Sequence, residues 1–366
     1  PRALLLSFLR GIRADHPRMI QGGYMPKILT AVFALLALLL VPHTLRAEVP
    51  FDDWLKGVHA EAVQRGISKA TLDAALTGLI PIKRVIQLDR KQPEFTQTFH
   101  QYLNARVSKW RVNTGRARYG KHATLLKEVG KVYGVQPRFV VALWGIETSF
   151  GRAMGSFSVV RALATLAHDG RRSRYFRKEL FNALTIIDEG HISAKKMKGS
   201  WAGAMGQNQF MPSSFLAYAV DYNKDGKRDI WGTIDDVFAS AANYLKRAGW
   251  RADQTWGREV RLPAGFEKNI PALMNIKRKR GCRALKKLSA RKTLPQWQAM
   301  GIRRMDGRDL PARNLKASLV LPDGPPYSEK STAFLVYRNF RATLRWNCSI
   351  AFAAAVGTLA DRIRGR

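Results

Sequence analysis

Cysteine is nearly absent. Cys282 and Cys348 are the only two in 366 residues. That excludes a disulfide-rich scaffold and a zinc site built from four cysteines, and leaves room for one disulfide in an oxidising compartment. Acidic side chains are also few, 27 against 62 Lys and Arg, for a formal charge of +35. Such an excess calls for an anionic partner: nucleic acid, an anionic membrane surface, or an acidic polymer such as a cell wall. Long apolar runs are missing too. The longest, from Ile28 to Val41, falls short of the roughly 18–20 residues of a spanning helix. At 46 % hydrophobic residues the chain is nevertheless globular and not disordered, with length for one large or two ordinary domains.

The apolar run follows Met25 and Lys27 and is followed by Leu45-Arg46-Ala47. A basic start, a short apolar core and a small residue make a secretory signal peptide, so residues 1–47 are read as signal peptide and upstream sequence. Since the sequence opens on Pro1, Met19 or Met25 is the expected start. No cysteine near the cut offers a lipid anchor. Periplasmic export follows, which argues against nucleic acid and for the cell envelope. Peripheral contact with an anionic membrane or other cell-wall enzymes is compatible with the charge, and a monomer is expected.

The mature chain reads as mainly helical. Ser68 is an N-cap before Ala70–Leu76, and Gly78 ends that helix. The stretch Phe95–Leu103 places Phe95, Phe99, Tyr102 and Leu103 on one face, a core-packing pattern. Helical patterns continue over His122–Tyr133 and Arg161–Ile187. In the second, Arg171 opens a run of five Arg/Lys interleaved with Tyr175 and Phe176. That run suits either an anionic sugar polymer or a solvated basic face. Residues 251–330 carry repeated prolines, short strand-like pieces (Glu259–Leu262, Ala317–Leu321) and the basic run Lys277–Arg280. They read as a small accessory insertion with strands. Helix returns from Ala333 to Arg366, including Phe334–Phe340 and Trp346-Asn347, to pack back on the earlier part.

Three stretches carry chemistry. In Val140–Gly151, Val140, Leu143, Trp144 and Glu147 share a helical face, with Pro137 in the first turn and Gly151 as the stop. A carboxyl on an apolar aromatic face is expected to have a raised pKa, as a general acid needs; a structural acid at a domain rim is the competing reading. Lys198–Ser214 combines glycines with Ser200, Gln207, Gln209, Trp201, Phe210 and Met211. Neutral amides beside aromatic platforms suit carbohydrate. Asp221, Asn223 and Asp225 stand at positions 1, 3 and 5 of a calcium-type loop, with Gly226 at the turn, the Lys227 carbonyl and Asp229 at position 9. Position 12 is Gly232 and not Glu, leaving Asp235 or Asp236 to close a longer loop.

With these pieces placed, the chain resembles the lytic murein transglycosylase B family over nearly all of its mature length. The resemblance is carried by Ala142–Gly151, Gly203–Ser214, Asp221–Gly226 with Ile230-Trp231, and Tyr337–Phe340 with Trp346-Asn347. It implies a lysozyme-like helical core, of mainly α (α+β) class, with an N-terminal helical part and a small β-containing insertion. The expected domains are 48–250 plus 331–366 for the core and 251–330 for the insertion. It implies non-hydrolytic cleavage of the MurNAc–GlcNAc β-1,4 bond of peptidoglycan to a 1,6-anhydro end, with Glu147 as the acid and base. It also implies Ser200 near the substrate N-acetyl group, and Gln209, Phe210 and Asn347 in the cleft. A structural Ca²⁺ is expected on Asp221, Asn223, Asp225, Lys227 and Asp235. Gln207, Met211, Arg171, Tyr102, Tyr244 and Trp346 complete the expected substrate contacts. Where cleft tyrosines are expected, the chain has Trp346 and Phe352, which suggests stacking alone at those points. Ordinary glycosidases need two carboxyls. No second acid here has an apolar setting, so the substrate would supply the nucleophile. A non-enzymatic envelope protein binding peptidoglycan or Ca²⁺, and a water-using muramidase, are the alternatives.

Overall fold

A computed structural model describes residues 49–91, 97–274 and 281–365. The chain divides into Pro1–Val49 and Pro50–Arg366, and the second unit is the one described below. The signal-peptide segment 1–47, Phe95 and the basic run 277–280 lie outside the described residues.

Helices dominate. In chain order they begin with α1 (Phe51–Gln64), α2 (Lys69–Leu76), α3 (Lys83–Lys91), α4 (Phe99–Arg106), α5 (Lys109–Lys121), α6 (Ala123–Tyr133) and α7 (Pro137–Thr148). The short strand β1 (Phe157–Ser158) leads into α8 (Val159–His168) and α9 (Ser173–Asp188); β2 (Lys198–Gly199) precedes α10 (Pro212–Tyr218) and α11 (Ile234–Arg247). Then come β3 (Gly257–Arg261), α12 (Ile270–Met274), β4 (Lys292–Thr293), α13 (Leu294–Ala299), β5 (Arg303–Arg304), β6 (Lys316–Val320), β7 (Ala333–Val336), α14 (Arg338–Trp346) and α15 (Ile350–Ile363). The expected N-cap is in place: the Ser68 hydroxyl accepts the Thr71 N–H. Arg161–Ile187 is not one helical run but part of two helices, since Gly170 takes a left-handed φ of 84° between them.

Two apolar cores organise the helices. One holds α7 together with α11 and α15, through Phe139, Leu143, Phe238 and Leu359. The other joins α1, α2, α8, α9 and α10 through Val58, Leu72, Leu163, Leu180 and Phe215. Five strands form an antiparallel sheet in the order β4-β6-β7-β3-β5. Residues 333–336 are its central strand, where the sequence reading has helix. The reason lies in burial: Ala333 and Leu335 face a small core containing Trp297 and Ile270, while Phe334 and Val336 face the α7 core. A strand buried on both faces reads as a continuous apolar run, which a short buried helix mimics.

Candidate active site

Helix α7 begins with Pro137 in its first turn and ends at Thr148. The chain then takes three successive left-handed residues, Ser149 (φ 51°), Phe150 (φ 62°) and Gly151 (φ 82°). Two of these are not glycine, a strained exit that the surroundings must hold. Thr148 does part of this, since its hydroxyl accepts the Gly151 N–H at 3.1 Å and donates to the Gln207 carbonyl at 3.1 Å. The Phe150 ring folds back against Gly145, where an added Cβ would lie 2.7 Å from it. A side chain there would have to displace the ring.

Glu147 lies two residues before Ser149 and is half-buried. Behind it Val140, Leu143, Trp144, Val237 and Phe238 surround a space with no room for water. In front opens a cleft of about 840 Å³, lined by Tyr102, Arg106, Asn347 and Phe352 among others. Glu147 is the only Asp or Glu among the described residues lining it. Burial pushes its carboxyl up to about 7; a hydrogen bond from Trp346 and the charge of Arg106 oppose this without overcoming it. The expectation of a raised pKa on an apolar face is met.

Trp346 does more than stack, which corrects the sequence reading. Its indole N–H donates to Glu147 Oε1 at 2.7 Å. The ring is held by Phe210 and Tyr244, at centroid distances of 5.1 and 4.8 Å. Tyr244 is itself committed, its hydroxyl donating to the Arg345 carbonyl at 2.6 Å. Phe210 is buried. Both residues therefore position Trp346, and neither lines the cleft.

The remaining expected contacts separate into two groups. Tyr102 and Asn347 line the cleft with Glu147. Burial raises the Tyr102 hydroxyl pKa, while Arg106 lowers it and Glu147 raises it. Gln207 faces inward. Its Oε1 accepts the Trp144 indole N–H at 2.7 Å and its Nε2 donates to the Trp231 carbonyl at 2.9 Å. An amide used at both ends joins α7 to the following loop and is not offered to a ligand. Gln209 donates to the carbonyls of Met154 and Gly206 at 3.0 and 2.9 Å, with φ 49°. Ser200 accepts the Ala204 N–H at 3.0 Å and closes the glycine turn. Met211 caps α10 and packs against the second core. Arg171 departs from its expected role: it bonds Asp89 Oδ2 at 3.0 Å, and Arg172 pairs with the same buried carboxylate. Desolvated Asp89 needs cations, and it takes them from the basic run.

The calcium-type loop is formed, and the carboxylate turned into it is not the one expected. Asp221 accepts the N–H groups of Asp225 and Gly226 at 3.1 and 2.9 Å, and Asp225 accepts that of Lys227 at 2.9 Å. Asn223 donates to Asp225 at 3.0 Å. The carboxylate that turns into the loop is Asp236, not Asp235: it accepts the N–H groups of Tyr222 and Asp229, each at 2.7 Å. Successive helical residues point about 100° apart, so one of the pair faces the loop and the other does not. Asp235 exerts its charge on His122 instead. Among the described residues, no three His, Cys, Asp or Glu side chains converge as a metal group.

Sequence reasoning missed one support and left a second, the disulfide, open. Arg111 is buried and donates to the carbonyls of Gly145, Ala105 and Arg106 at 3.0, 3.0 and 2.8 Å, and to the Ser149 hydroxyl at 3.1 Å. It thereby adds side-chain donors at the carbonyl ends of α4 and α7. Cys282 and Cys348 are joined, with Cα atoms 5.5 Å apart, and Cys348 lines the cleft beside Asn347.

The comparisons agree with this site. The transglycosylase SLT domain model matches residues 50–361. SltB3 from Pseudomonas aeruginosa, solved in complex with NAG-NAM-pentapeptide, is 45 % identical with a TM-score of 0.78, over 86 % of this chain and 80 % of that one. The Escherichia coli lytic transglycosylase Slt35, solved with calcium, is 27 % identical with a TM-score of 0.69, over 86 % and 93 %. Membrane-bound lytic murein transglycosylase B of Escherichia coli is 40 % identical over 162 residues, 43 % of this chain and 45 % of that protein, so this match spans less than half the length of each. The mainly helical, lysozyme-like fold with its small sheet is thus the one these enzymes share. From the single cleft carboxyl to the matched length, the chain belongs to the lytic murein transglycosylase B family of transglycosylase SLT domain enzymes.

Proposed function

We propose that this chain cleaves the MurNAc–GlcNAc β-1,4 bond of peptidoglycan without water, leaving a 1,6-anhydroMurNAc end. The observation that carries the reading is the one carboxyl that lines the cleft among the described residues, half-buried and pushed up to about 7 by burial. A pair of carboxyls would be needed for ordinary hydrolysis; one suffices when the substrate provides the nucleophile.

The indole of Trp346 can donate but not accept. While Oε1 of Glu147 accepts that N–H, a proton on the carboxyl resides on Oε2. From Oε2 it passes to the glycosidic oxygen as the C1–O bond breaks, and the GlcNAc hydroxyl leaves. The N-acetyl carbonyl oxygen of MurNAc bonds to C1 and holds the developing positive charge. Glu147, now a carboxylate favoured by Trp346 and Arg106, takes the proton of the C6 hydroxyl. The C6 oxygen then bonds to C1 as the acetamido oxygen departs, and Glu147 is protonated again. Tyr102 and Asn347 would contact the sugars from the cleft wall, with Ser200 and Gln209 shaping the glycine-rich segment.

The 221–236 loop carries hard oxygen donors of the type Ca²⁺ takes, and Asp236 is buried against it, although no three carboxylates converge as a metal group among the described residues. Ca²⁺ would be held by Asp221, Asn223, Asp225, the Lys227 carbonyl and Asp236, where it would stiffen the loop. Gln207 bonds to Ile230 and Trp231 at the end of that loop, so stiffness there would support α7. The accessory role of 251–330, export to the periplasm through segment 1–47, and a monomeric state belong to the same reading. Among the described residues no helix is long and apolar enough to cross a membrane.

The test is to incubate wild type and Glu147→Gln with purified peptidoglycan and weigh the soluble products. Muropeptides lighter by one water from the wild type, and none from the variant, are expected. Reducing-end products, or equal release by both proteins, would refute the proposal.

A further inference from the structure

We propose that Arg283 and Lys287, together with Arg106, form a carboxylate-binding wall of the cleft that grips the anionic peptide stems of the strand being cut. This rests on the reading of the cleft as a peptidoglycan site. All three side chains line it. None has an Asp or Glu partner within ion-pair distance among the described residues, whereas Arg171 and Arg172 share Asp89, Arg177 takes Glu61 and Arg228 takes Glu189. The only carboxyl lining the same cleft is Glu147, which enters the reaction protonated. Among the described residues the cationic wall therefore has no carboxylate of its own to balance it.

The wall is also built to stay in place. Arg283 and Lys287 are the first and last residues of a single 3₁₀ turn, Arg283–Lys287. Ala284 and Leu288 are buried in the same core as α7, and Leu285 packs against it, so the apolar side of the turn is anchored. Cys282, one residue before, is covalently joined to Cys348, which adjoins Asn347. Exposed Arg283 and Lys287 are thus presented beside the site by a turn fixed on two sides.

The ligand class follows from the charge of the strand. The sugar hydroxyls and N-acetyl groups are neutral and need no cations. In an intact strand the lactyl carboxyl of MurNAc is amide-bonded to the stem, so the remaining negative charge lies on carboxylates of the peptide. Arg can meet such a group with two N–H donors at once, and Lys with a point charge.

The test compares kcat/KM of the purified chain on glycan strands carrying their stems and on strands stripped by an amidase, which frees one lactyl carboxylate per MurNAc. Arg106 is left intact, because its charge also acts on Glu147. In Arg283→Ala/Lys287→Ala the ratio of stem-bearing to stripped activity is expected to fall about fivefold to tenfold, the worth of two solvent-facing ion pairs. In Arg283→Lys/Lys287→Arg it should stay within about twofold, since both charges remain. Added salt should lower the wild-type ratio more than that of the alanine variant, which keeps only Arg106 of the three cations. An unchanged ratio in the alanine variant overturns the proposal. So does an equal loss on both substrates, which would assign the wall to the lactyl group or the sugars. Failure of the wild type to act on either substrate would instead refute the peptidoglycan reading itself.

Discussion

Glu147→Gln is expected to stabilise the protein at alkaline pH while abolishing its activity. The side chain is half-buried, and burial lifts its pKa from 4.5 to about 7. Below the unfolded value both states carry the proton, and the folded state bears no penalty. As pH rises from there through 7, the unfolded chain ionises freely while the folded chain must either keep its proton or charge a desolvated group. Stability is therefore lost across that window and the loss is complete above it. The interval between 4.5 and about 7, at about 1.4 kcal/mol per pH unit, amounts to about 3 kcal/mol. Gln has the same shape and no charge, and its amide oxygen still accepts the Trp346 N–H, so the variant escapes the penalty without losing that bond. Urea unfolding of both proteins at constant calcium, near pH 4 and near pH 8, measures it. The two should coincide in acid and differ by about 3 kcal/mol in base, with the variant more stable. A variant equal to or weaker than the wild type in base would refute the claim that burial sets this pKa.

Two further outcomes follow from contacts of the same cleft. Trp346→Phe keeps the ring and removes the donor that favours the Glu147 carboxylate; the alkaline limb of the kcat/KM profile should move up by about one pH unit, and an unmoved limb would count against the hydrogen bond. Replacing Cys282 and Cys348 by Ser opens a closure spanning 66 residues; the loss by loop entropy is about 4 kcal/mol at most, read as a lower urea midpoint that reducing agent reproduces in the wild type and does not deepen in the variant.

Much of the architecture was legible because it is local. Ser68 before a helix-forming run, Pro137 in a first turn and the Asp221–Gly226 spacing are decided within a few residues, and each appears where the pattern puts it. Residues 333–336 were not legible, because periodicity vanishes when both faces are covered. Asp236 could not be told from Asp235, since the choice depends on the helix phase at Thr233 and not on spacing from Asp221. Gln207 and Gln209 look alike in sequence, two amides in a glycine-rich run. Their fates diverge through partners far along the chain, Trp144 and Trp231 for one and Met154 for the other. Arg171 was misjudged for a related reason. A buried acid 82 residues earlier, Asp89, is invisible as a partner until the fold brings it near.

These long-range partners give the site its logic. Trp144 and Glu147 sit on one helix; Trp144 reaches through Gln207 to the carbonyl of Trp231, while Glu147 reaches directly to Trp346. Each link is an N–H donor set against a specific acceptor, so α7 is tied to the loop behind it and to α14 beside it. Gly151 lies against the first link, where an added Cβ would stand 2.4 Å from Gln207 Oε1. The strained exit of α7 and the glycine within it therefore serve the same end as the aromatic packing of Trp346 on Phe210 and Tyr244. Both fix the direction of one carboxyl group, whose Oε1 is bound to a donor and whose Oε2 is, under the proposed mechanism, the oxygen that carries the proton. A phenol at this position could donate or accept. The indole of this chain can only donate, so in the proposed reaction the proton is assigned to Oε2.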